Sequence, residues 1–143
     1  MKIKNFSNIR RVVGDRAVLR AFHFLRENER VTKIKDAIIA SDIQTFLEKV
    51  SESGRSSFEF LQNVYTPENV REQGLSIGLA LSEGYLSGKG AVARVHGGGF
   101  AGTIQVFLKN EDVSDYVKYM DSVLGDGSAD AFSIRDEGAV KLF

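Results

Sequence analysis

Residues Ala91 to Leu108 read AVARVHGGGFAGTIQVFL, and no other stretch limits the fold as tightly. Ala91, Ala93 and Val95 alternate against Val92, Arg94 and His96, which is the two-residue period of a strand. Ile104, Val106 and Leu108 alternate in the same way against Thr103, Gln105 and Phe107. Between them lie six residues, Gly97 to Gly102, four of which are glycine. A tight hairpin satisfies its one or two positive φ angles with a single glycine. Four glycines around Phe100 point to a backbone that something approaches closely.

Two readings of this loop stay open on residues alone. One is a wide hairpin tip. The other is an anion nest, in which successive backbone N–H groups converge on a phosphate. A third reading fails. Gly97, Gly99 and Gly102 spell G-x-G-x-x-G, but the dinucleotide version must open a helix, and the β-branched run from Thr103 continues as a strand. A protein-kinase glycine loop does lie between strands, yet neither an HRD nor a DFG element follows.

The segment Gly90 to Thr103, with His96-Gly97-Gly98-Gly99-Phe100-Ala101-Gly102-Thr103 at its centre, resembles the third motif of the GHMP small-molecule kinases. Within that superfamily it is most similar to galactokinase, whose usual pattern is Gly-Gly-Gly-Phe-Gly-Gly-Cys. Ala101 and Thr103 depart from it, both towards small residues. Arg20-Ala21-Phe22-His23, followed by Glu27-Asn28-Glu29-Arg30-Val31, resembles the helix that opens the family's C-terminal half. Ser51-Glu52-Ser53-Gly54-Arg55-Ser56-Ser57, leading to Leu61-Gln62-Asn63, resembles the segment where galactokinases carry a Ser-His-x-Ser-Leu-like run. Gly54 stands where many members have that His.

The resemblance implies a ferredoxin-like C-terminal domain over residues 1–143, with an antiparallel sheet covered by helices. It also implies transfer of the γ-phosphate of ATP, with Mg²⁺, to the anomeric hydroxyl of galactose. In the family the remaining parts come from an N-terminal half with a Gly-Arg-x-Asn-Leu-Ile-Gly-Glu-His motif and a Pro-x-Gly-x-Gly-Leu-Ser-Ser-Ser phosphate loop. Neither motif occurs in this chain. The expectation is thus a C-terminal part that is inactive alone and holds no catalytic residue. It contributes Gly97, Gly98, Gly99, Phe100, Ala101 and Gly102 beside the phosphates, with Arg94 and His96 as candidate support. The N-terminal half is the expected partner, with self-association through the exposed docking face as a further expectation. The rival reading is a stand-alone, non-catalytic binding or scaffolding module. Another GHMP kinase, acting on a different sugar or an isoprenoid alcohol, is the third.

Composition agrees with a globular domain. A chain of 143 residues buries roughly 68–70% of its unfolded surface. The absence of cysteine excludes disulfides and thiolate metal sites, and two histidines, His23 and His96, are too few for a His-based zinc site. No apolar run approaches a membrane span or a signal-peptide core, so a cytoplasmic location is expected. Charge is zero overall but uneven. Residues 1–35 hold ten Lys or Arg against three acids, and residues 110–137 hold two against eight. Arg16, Arg20, Arg26 and Arg30 lie among Asp15, Glu27 and Glu29 as a solvated face, and no base-stacking aromatics accompany them, so nucleic acid is not an expected partner.

Along the chain, Lys2–Arg10 has no period and reads as a tail or edge segment. Apolar spacing predicts a helix from Asp15 to Asn28, then a second stripe at Val31, Ile34 and Ile38. Asp42 offers an N-cap for a helix through Ile43, Phe46, Leu47 and Val50, which Ser53-Gly54 should end. Ser56 with Glu59 has capping-box spacing for a short helix through Phe60 to Asn63. Thr66-Pro67-Glu68 reads as a helix start, with Val70, Gly74, Ile77, Gly78 and Leu81 on the buried side and Gly84 at the end. Val113, Tyr116, Val117, Met120 and Leu124 mark a final helix with Gly125 as its C′ residue. Ala131–Arg135 and Ala139–Phe143 are β-prone runs. The class is α+β.

Overall fold

The computed structural model describes residues 5–100 and 102–134. They form five α-helices, one π-helical turn and one two-stranded antiparallel sheet, an α+β arrangement. The chain falls into two compact units, one up to Leu108 and one from Lys109. Among the described residues no helix is long and apolar enough to cross a membrane.

The hairpin is where the alternation places it. Strand β1 (Val92–Val95) pairs with β2 (Ile104–Phe107) in the register Val92↔Phe107, Ala93↔Val106, Arg94↔Gln105 and Val95↔Ile104. The His96 N–H adds one rung to the Thr103 carbonyl at 2.8 Å. Directly paired residues share a face, so Arg94 and Phe107 lie on one side of the sheet and Val95 and Ile104 on the other.

Helix α3 (Ile43–Ser56) covers the first face. Phe46 meets Phe107 edge to face at 5.1 Å, and the Asp42 side chain caps the helix by accepting the Thr45 N–H at 3.0 Å. Gly54 does not end this helix. A Cβ there would come within 2.9 Å of the Arg94 Cβ, so the glycine is what lets β1 approach. Helix α4 (Gly74–Leu86) covers the second face, where a Cβ at Gly78 would meet Ile104 Cδ1 at 3.6 Å. Its buried row is Gly78, Ser82 and Leu86. Val70 and Ile77, expected inside, are exposed.

The Thr66-Pro67-Glu68 signal makes a turn, not a helix. The Glu68 N–H reaches the Thr66 hydroxyl at 3.3 Å, but the Gln73 side-chain amide then donates to the Val70 carbonyl at 2.9 Å. That carbonyl is the acceptor a helix begun at Pro67 would have offered Gly74, and α4 begins only there. Gly84 lies inside it.

Helix α2 (Asp15–Ile39) is continuous where two stripes suggested a break. Glu27-Asn28-Glu29-Arg30 contains no breaker, and the two stripes are two faces of one helix. Val18, His23, Arg30 and Ala37 are buried, while Phe24, Val31 and Ile38 face outward. Within the run Lys2–Arg10, residues 2–4 lie outside the described residues and the rest enters a short helix, α1 (Phe6–Val13); Phe6 stacks on Phe22 at 6.3 Å and Gly14 (φ 81°) separates it from α2. After α3, a π-helical turn (Ser57–Leu61) replaces the predicted capping box and ends at Gln62, whose N–H closes on the Ser57 carbonyl at 2.7 Å. Arg26 fastens this turn to α2, its guanidinium 5.2 Å from the Phe60 ring and 5.8 Å from Phe22.

In the second unit, α5 (Asn110–Leu124) starts with Glu111 and Asp112 and stops at Gly125 (φ 107°), as the sequence indicates. Asp121 Oδ1 then accepts the N–H groups of Ser128 (2.9 Å) and Ala129 (3.3 Å), folding the polar loop back. Residues 131–134 form no strand, and Phe132 and Ile134 are exposed. Arg135 and the run Ala139–Phe143 lie outside the described residues.

Candidate functional site

The loop that joins β1 to β2 combines left-handed backbone with an anchor from beneath. Gly97 (φ 59°), Gly99 (φ 77°) and Phe100 (φ 61°) are left-handed; Gly98 and Gly102 are not. Such switching of hand between neighbours is the backbone of an anion nest. The N–H groups of Gly97, Gly98 and Gly99 meet no partner among the described residues, and the space around Gly97 and Gly98 is open. The Phe100 N–H is committed, donating to the Asn63 carbonyl at 2.5 Å. The Asn63 side-chain amide donates to the Gly98 carbonyl at 3.3 Å. A Cβ on Gly99 would overlap Asn63, so glycine is required there twice over, by φ and by space. Ala101 lies outside the described residues. Phe100 is partly exposed at the tip and His96 is exposed at the strand end.

Arg94 shares a sheet face with His96, but it is not open support for a ligand. Its Nη1 donates to Ser53 Oγ at 2.7 Å and lies 3.9 Å from Glu27 Oε1, and its Nε donates to the Val95 carbonyl at 3.0 Å. Ser53, fully buried, donates its hydroxyl hydrogen bond to Glu27, which also pairs with Arg30. Arg30 Nε lies 3.7 Å from Glu52, and Lys49 bonds Glu52 at 2.5 Å. The result is a linked cluster of three cations and two carboxylates between α2, α3 and β1. It holds the strand from which the glycine loop departs. Glu27 and Ser53 sit inside stretches the sequence singled out, but no local pattern ties them to Arg94.

His23 stands beside this cluster, nearly buried, with Nδ1 3.0 Å from Ser56 Oγ. Burial holds its pKa below the ordinary range; Glu27 pulls the other way, and Arg30 and Arg94 reinforce the burial. The folded state therefore keeps His23 neutral where the unfolded chain already binds a proton. Stability should accordingly fall as pH drops below the unfolded-state value of about 6.5, before carboxylates titrate near 4. Urea midpoints measured across that window should decline for the wild type and stay flatter for His23→Gln. Equal slopes for both would contradict the assignment.

An open surface cleft of about 410 Å³ lies between α3 and the start of β1, lined by Glu48, Glu52, Arg55 and Ala91 among others. Its mixed charge and its distance along the strand from the glycines give it no part in the loop site. Among the described residues no three His, Asp or Glu side chains come together as metal ligands. No protein-family model, curated protein or solved structure matches the chain.

Proposed function

We propose that this chain is the C-terminal part of a galactokinase-like GHMP kinase, with the ferredoxin-like domain that family carries. The observation that supports it best is the glycine loop itself: three N–H groups, Gly97 to Gly99, without a partner among the described residues, held between paired strands and braced by Asn63. Phosphoryl transfer is mostly positioning and electrostatic stabilisation, and backbone donors of this kind suit the phosphates of ATP. In the intact enzyme the anomeric oxygen of galactose would attack the γ-phosphorus, the bond to the β-phosphate oxygen would break, and ADP would leave. The base that takes the hydroxyl proton belongs to the N-terminal half. Among the described residues no three His, Asp or Glu side chains gather as a metal site; Mg²⁺ in the intact enzyme would be held by one or two carboxylates together with the ATP phosphates, whose charge it would neutralise.

The second reading, a non-catalytic binding module, draws on the outward row Phe24, Val31 and Ile38 of α2. Titration of the isotope-labelled chain with ATP separates the two. The kinase reading predicts amide shifts led by Gly97–Gly99 with millimolar affinity, roughly −4 kcal/mol. Shifts centred elsewhere, or none, would favour the module.

A further inference from the structure

We infer that Asn63 is the positioning residue that turns the Gly98–Gly99 peptide into its anion-binding orientation. Only the class of ligand, a phosphate-bearing one, rests on the proposed function; the orientation rests on contacts already described.

A trans peptide is planar, and its C=O points opposite to the N–H of the next residue. The described chain has no cis peptide. The Asn63 side-chain amide holds the Gly98 carbonyl inward at 3.3 Å, so the Gly99 N–H is turned to the other side of the loop. A glycine pair flips this plane readily, since neither residue resists positive φ. In the flipped state the carbonyl would face outward and repel phosphate. Asn63 decides between the two.

The joint is built at a cost that a plain hairpin tip does not need. Four non-glycine residues among those described have left-handed φ, and two of them, Gln62 (56°) and Phe100 (61°), flank this one contact. The π-helical turn ends directly before it, and such turns recur at functional positions. Asn63 is 2% exposed, and its Oδ1 has no hydrogen-bond partner among the described residues. Strained backbone and an unpaired buried acceptor persist where the surroundings over-determine them, and they cluster at ligand clamps.

The test has two arms. In the wild-type chain, amide hydrogen exchange should be slow at Phe100 and fast at Gly99. Asn63→Asp keeps the side-chain volume but sets an acceptor against the Gly98 carbonyl. It should move the Gly99 amide resonance and weaken pyrophosphate, the probe anion, by at least about tenfold, a factor worth 1.4 kcal/mol. A protected Gly99 with an unprotected Phe100 would overturn the inference without any variant. So would an Asn63→Asp chain with an unchanged Gly99 resonance and unchanged pyrophosphate affinity. A wild type with the expected exchange pattern but no response to pyrophosphate would sink the phosphate reading while leaving the peptide orientation standing.

Discussion

Gly99→Ala should destabilise the first unit by at least about 2 kcal/mol, whereas Gly98→Ala should change stability by less than about 0.5 kcal/mol. The sequence marks both glycines alike, and their backbones separate them. Gly99 sits at φ 77° against Asn63, while Gly98 has neither a left-handed φ nor, among the described residues beyond its chain neighbours, an atom within 4 Å of its would-be Cβ. An added methyl at Gly99 would push on the Asn63 backbone, which cannot yield without releasing the Phe100 N–H. At Gly98 the same methyl meets open space. Paired urea denaturation curves check this, and equal midpoints for the two variants would mean the loop is not pinned where the structure has it.

The second large effect is expected at Glu27. Glu27→Gln keeps the shape and can still accept from Ser53, but it leaves the Arg30 and Arg94 guanidiniums facing a neutral amide. Removing one member of a buried pair costs about 3–5 kcal/mol. Both Glu27 and Arg94 retain over a fifth of their side-chain exposure, so screening lowers the expectation to about 2 kcal/mol. Adding Arg94→Met should recover part of that loss, because Arg30 keeps Glu52 while Arg94 has no other carboxylate among the described residues. A double variant as unstable as the sum of the single ones would show that Glu27 and Arg94 act separately.

The hairpin and its loop were legible because their signals are local: alternation on both sides and four glycines between. The Asp42 cap and the Gly125 stop were legible for the same reason. Gly54 was misread as a helix stop because its purpose lies in β1, forty residues downstream. Thr66-Pro67-Glu68 was misread because a side chain, Gln73, captures the carbonyl that the helix needed. Arg94 kept its charge in view but not its partners, since Glu27 reaches it only after α2 packs on α3. Asn63 is named in the sequence only as the end of the Leu61-Gln62-Asn63 stretch, with nothing local to tie it to the glycines, and only the fold brings it under Gly99.

The proposed function is tested most directly by coupled ADP release with ATP and galactose. Three samples are compared: this chain, a galactokinase N-terminal half carrying the phosphate loop, and the two mixed. The account predicts no galactose-dependent turnover from either piece and measurable turnover from the mixture, because one loop positions phosphates without supplying the base or the sugar contacts. Galactose-dependent ADP release by this chain alone would contradict it and direct the search for a catalytic carboxylate to Asp36, Asp42, Glu52 and Glu59. A mixture that forms a stable complex yet stays inactive would contradict it as well.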